Sequence, residues 1–68
     1  MNRQLFAWTA NHSRAYPEYL NVSQQPDGAL AITLREPPDA NGSEGATRCL
    51  VLPWEVGVEL MVNLQAMK

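Results

Sequence analysis

Two runs of alternating apolar and polar residues flank a tight-turn motif near the middle of the chain. In Tyr19-Leu20-Asn21-Val22-Ser23, Leu20 and Val22 fall on one face. From Ala29 to Arg35, Leu30, Ile32 and Leu34 point one way and Ala31, Thr33 and Arg35 the other. Between them, Gln25-Pro26-Asp27-Gly28 places proline at the second turn position, followed by Asp and Gly. Two period-2 runs around such a turn predict a β-hairpin with one apolar face.

The flanking segments are less regular. Leu5, Phe6 and Trp8 predict a short strand or a packed arm, and Asn11 to Ala15 a loop. Glu36 to Gly45 holds two prolines, two glycines and no large apolar residue, so it reads as a solvated loop. Ala46 to Leu52 regains strand character, with Cys49 and Val51 on one face and Leu50 and Leu52 on the other. A strand apolar on both faces is covered on both sides, or one face meets another molecule.

Pro53 suits the first position of a helix, and Glu55 and Glu59 in the early turns agree with the helix dipole. At about 100° per residue, Val56, Leu60, Leu64 and Met67 form one stripe. That stripe is expected to lie on the hairpin face carrying Leu30, Ile32 and Leu34, with Gly57 beside it permitting close approach. Trp54, Val58, Met61 and Val62 form a second, adjacent stripe, opposite Glu55, Glu59 and Ala66. Either the N-terminal segment covers this second stripe with Phe6 or Trp8, or the stripe is an oligomer or partner interface, or it is simply exposed.

The predicted class is α+β: a three-stranded antiparallel β-meander, four-stranded if the N-terminal segment joins, with one C-terminal α-helix packed on one face. A single small domain covers residues 1–68. It divides into an arm or short strand over 1–15, a sheet over 16–52 interrupted by the 36–45 loop, and a helix over 53–67.

Composition sharpens this picture. A domain of 68 residues has little margin for a core and usually needs a staple, a metal or a partner subunit. Cys49 is the only cysteine, so no disulfide forms within the chain. One cysteine and one histidine do not make a structural zinc site. Self-association is the stabiliser that remains. The net charge is −2 and the isoelectric point about 5.1, opposite to the basic stripe of a nucleic-acid-binding domain. The apolar run from Cys49 to Trp54 is far too short to span a bilayer, and the opening residues form no signal-peptide core. With a lone cysteine, the expectation is a cytoplasmic protein, in which the three Asn-x-Ser triplets at Asn11, Asn21 and Asn41 are coincidental.

Candidate chemistry is sparse. A nucleophilic pair of Cys49 with His12 would need contact and an orienting third group, whereas a thiol in an apolar strand is usually inert packing. Glu55 and Glu59 share a helical face, but paired-carboxylate chemistry needs a cleft. Asp39, Asn41 and Glu44 lack the spacing of a calcium loop. The expectation is therefore no enzyme, no cofactor and no metal. The leading reading is a small non-enzymatic protein–protein interaction module that forms a homodimer or binds a protein partner. Its candidate interface is Trp54, Val58, Met61, Val62, Trp8 and Tyr16, aromatic residues being frequent interface anchors. The alternative is a nucleic-acid-associated regulatory protein that stacks bases on its aromatic N-terminal segment. Arg3 and Arg14 are the only cations there, so the phosphate contribution would be small.

Overall fold

A computed structural model describes residues 1–10, 17–38 and 45–67. It contains strands β1 (Arg3–Thr9), β2 (Tyr19–Gln24), β3 (Leu30–Arg35) and β4 (Thr47–Leu52), followed by helix α1 (Trp54–Gln65). The strands form one sheet in the order β1-β2-β3-β4, each antiparallel to the next. The fold is thus a four-stranded meander with a C-terminal helix, and the N-terminal segment supplies the fourth strand.

The central hairpin follows from its turn. The Gly28 N–H donates to the Gln25 carbonyl at 2.9 Å, and the Gln25 N–H to the Ala29 carbonyl at 2.8 Å. The Asp27 carboxylate accepts from the Ala29 N–H at 3.0 Å. Gly28 has φ +94°, a conformation open to glycine at little cost, and it reverses the chain into β3. Pairing then runs from Gln24↔Leu30 to Tyr19↔Arg35 without interruption. In β1 the register slips between Gln4 and Phe6, leaving Leu5 as the extra residue of a bulge. The Ala10 N–H donates to the Glu18 carbonyl at 2.9 Å and prolongs the β1–β2 ladder by one step.

Directly paired residues point to the same face. The registers therefore set out three rows across one side of the sheet. Gln24, Leu30 and Leu52 form the first row, Phe6, Val22, Ile32 and Leu50 the second, and Trp8, Leu20, Leu34 and Arg48 the third. The opposite side carries Tyr19, Asn21, Thr33, Arg35, Cys49 and Val51, among others. The pattern is apolar on the first side and mostly polar on the second.

Helix α1 begins one residue later than the sequence suggests. Pro53 is the residue before the first helical turn, with φ −58° and ψ 157°, and its carbonyl accepts the Gly57 N–H at 3.0 Å. The helix lies on the apolar side, and Gly57 is its one buried residue. A Cβ placed on Gly57 would come within 3.0 Å of Leu30 Cδ1, so the absent side chain sets the approach of helix to sheet. Near the helix start, the Trp54 ring edge packs on the Gly28 turn, where an added Cβ would stand 3.1 Å from Cδ1.

Both stripes take part in the face turned to the sheet. Leu60, Leu64 and Met67 of the first line the groove with Trp54, Val58 and Met61 of the second, and the nearest approach is at Gly57 beside Leu30. Val56, Leu60, Leu64 and Met67 all remain exposed, so the helix rests only lightly on the sheet. Phe6 and Trp8 do not cover the second stripe, remaining 52% and 50% exposed. They belong to a strand within the sheet, so their side chains stand beside the helix rather than over it.

Burial is slight throughout. Among the described residues the buried apolar side chains are Ala10, Ala29 and Ala31, and no large side chain is fully buried.

Two substitutions test the hairpin and the pivot. Gly28→Ala is expected to lower stability by about 1–2 kcal/mol in urea unfolding, because an L side chain is disfavoured at positive φ. Gly57→Val is expected to lower it by about 1–3 kcal/mol, since its γ-methyls would drive α1 away from Leu30. An unchanged unfolding midpoint for Gly57→Val would mean that the helix does not rest on the sheet at this point.

Candidate functional site

The strongest surface feature is an open apolar groove between sheet and helix, of about 1020 Å³. Its floor includes Phe6, Leu20, Val22, Leu30 and Ile32, and its helical wall Trp54, Gly57, Val58, Met61 and Leu64. Arg3, Gln24 and Gln65 contribute the polar groups of its lining. The groove exists because α1 touches the sheet near the first row and leaves the second and third rows uncovered. Leu50, at the far end of the second row, is 59% exposed.

The helix itself has more apolar surface than its own sheet meets. At about 100° per residue, its apolar positions from Val56 round to Val62 span an arc of about 240°. Glu55, Glu59 and Asn63 occupy the remainder, and the Asn63 amide donates to the Glu59 carbonyl at 2.8 Å. A sheet face covers roughly the 100° stripe of an ordinary surface helix. The rest of the arc faces solvent in the single chain.

The residues anticipated from sequence divide among these surfaces. Trp54, Val58 and Met61 line the groove together. Val62 stands on the helix flank outside it, 56% exposed. Trp8 lies in the third row on the same side of the sheet, beyond the groove floor. Tyr16 lies outside the described residues, as do His12, Asp39, Asn41 and Glu44. Phe6, Leu20, Val22 and Leu64 were not among the anticipated interface residues. The alternation of Leu20 and Val22 placed them on the apolar face, but that pattern is the same whether a helix covers the face or leaves it open.

The second side of the sheet is built differently. A shallow depression of about 360 Å³ is lined there by Gln4, Thr9, Tyr19, Asn21 and Thr33, among others. Arg35 lies on the same side, over the Tyr19 ring. Its Nε and Nη2 donate to the Pro17 carbonyl at 3.0 and 2.8 Å, and its guanidinium lies 4.9 Å from the centroid of the cross-strand Tyr19 ring. This clamp fixes the chain entering β2 and uses a cation that phosphate recognition would need. Arg48 on the β4 edge is likewise engaged, with Nε 2.8 Å from Glu36 Oε1.

The remaining candidates among the described residues are Cys49, Glu55 and Glu59. Cys49 is exposed, and its Sγ accepts a weak hydrogen bond from Thr33 Oγ1 at 3.7 Å. Glu55 and Glu59 lie on the solvent side of α1. Among the described residues, no three His, Cys, Asp or Glu side chains gather where they could hold a metal ion, and no helix is long and apolar enough to cross a membrane. No family model, no curated protein and no solved structure matches the chain.

Proposed function

We propose that this chain is a small non-enzymatic protein–protein interaction module that acts as a homodimer. The observation that carries the reading is how incomplete the single chain is. A compact protein of 7.6 kDa exposes about 4,300 Å². This chain exposes 5295 Å². Among the described residues, large apolar side chains contribute to that exposure, with Phe6, Leu50, Trp54, Met61, Val62 and Leu64 each half exposed or more. The radius of gyration of 14.1 Å likewise exceeds the roughly 11 Å of a compact chain of this length. The apolar groove and the uncovered arc of α1 supply surface of the character that obligate interfaces bury.

Size exclusion with light scattering, across a range of concentrations, tests this reading. The expected mass is twice the 7.6 kDa of one chain. Val58→Asp, which places a carboxylate in the groove wall, is expected to weaken the dimer by about 100-fold or more, and Glu59→Gln to leave it unchanged. A monomer at high concentration would overturn the proposal.

A second reading keeps one supporting observation. Trp8 is half exposed on an edge strand, where a base could stack. Titration of the tryptophan emission with single-stranded and duplex DNA at low salt separates the two. On the interaction-module reading the emission stays unchanged, and a saturable change that weakens with salt would favour the nucleic-acid reading.

A further inference from the structure

We infer that the uncovered strip of the sheet, formed by its second and third rows, receives helix α1 of a second copy of this chain, so that two copies exchange helices across a two-fold axis. The inference rests on the homodimer reading and names the surface that the homodimer buries.

The strip has the dimensions of a helix. Rows two residues apart lie about 7 Å from one another along the strands, so the two open rows leave a band roughly as wide as the 10–12 Å diameter of a helix. Across the sheet, three strand spacings span about 14 Å, and side chains at both edges extend this further. A 12-residue helix such as α1 is about 18 Å long. The ends of the strip are exposed on both edge strands, at Phe6 on β1 and Leu50 on β4. The chain's own helix does not fill it, because Gly57 holds α1 over Leu30 in the first row.

The occupant must be apolar over a surface that its own sheet leaves free. The α1 helix of a second copy has that surface, since the Val58–Val62 flank continues the groove wall toward solvent. A two-fold arrangement satisfies both copies at once, each contributing a strip and a helix. The apolar character of the strip disfavours a charged occupant, because an unpaired charge there would be desolvated. Each copy would bury both a strip and a helix face, so the exchange draws on two apolar surfaces per chain.

The β4 edge offers a competing contact. The Glu36 N–H donates to the Ala46 carbonyl, and this alternation turns the backbone groups of Thr47, Cys49 and Val51 away from β3. Pairing two copies along this edge would leave the groove and the strip beside it open. The helix exchange covers them, and the structure favours it for that reason.

The test uses the full chain in three forms, wild type, Phe6→Asp and Val51→Arg, each examined by light scattering. Isotope-filtered nuclear Overhauser spectra of a mixed labelled and unlabelled wild-type sample accompany it. Phe6 and Val51 are both exposed in the single chain, so neither change removes a buried contact. The expected result is a wild-type dimer, a Phe6→Asp monomer at the same concentration and a Val51→Arg dimer. Intermolecular contacts are expected from the Met61 and Val62 methyls to the Phe6 ring and the Leu50 methyls. A dimer that survives Phe6→Asp, dissociates with Val51→Arg and shows intermolecular contacts confined to β4 would overturn the helix exchange while preserving the homodimer. A wild-type monomer would overturn both, and the strip would then belong to a helix of another protein. Should Phe6→Asp fail to fold, the wild-type spectra decide alone, and a dimer lacking intermolecular helix-to-sheet contacts overturns the exchange.

Discussion

The architecture depends on one approach, that of α1 to the sheet at Gly57 and Leu30. A β-carbon at that position would meet the Leu30 side chain at 3.0 Å, so the missing side chain determines both how near the helix comes and which way it faces. With the pivot near the first row, the helix turns Trp54 toward the hairpin turn and Met61 into the groove. It also leaves the middle of the apolar face without a cover. The groove is therefore a direct result of where the single helical glycine stands.

The two sides of the sheet answer different requirements. The polar side satisfies itself locally, through the Arg35 clamp on the Pro17 carbonyl, the Arg35–Tyr19 stack and the Thr33–Cys49 contact. The Asn21 Oδ1 is buried there without a hydrogen-bond partner. The apolar side has no comparable closure within one chain. None of its large side chains is fully buried. In the proposed homodimer a second copy would supply the missing layer without any disulfide or metal, in keeping with a chain that has one cysteine and one histidine.

Much of the fold was legible because local signals agreed. Pro26-Asp27-Gly28 and the alternation on either side define β2, β3 and their register, and the apolar run ending at Pro53 defines β4. The N-terminal strand was ambiguous for a physical reason, since the bulge at Leu5 breaks the period of two that would have marked it. The face of the helix was only partly legible, because two apolar stripes lie side by side on it and both line the groove. The point of nearest approach, at Gly57, is a property of the assembled pair of layers. The same applies to the groove: Trp54, Val58 and Met61 stood out as surplus apolar positions, whereas Phe6 and Leu50 matter only because the helix rests elsewhere.

The meander order also shapes how the protein comes into being. Every strand pairs with its neighbour in sequence, so the ladders rest on pairings between consecutive segments of the chain. Helix α1 follows Pro53 at the end of the chain, and its docking adds little burial to what the sheet already has. A newly made chain therefore passes through a stage in which a finished sheet presents a bare apolar face while the helix has yet to settle. If two copies pair as proposed, the lifetime of that stage would depend on how soon another copy arrives, which would tie the fate of each molecule to how many are made together. Scarcity would leave single chains exposed to proteolysis, and simultaneous synthesis from one message would protect them.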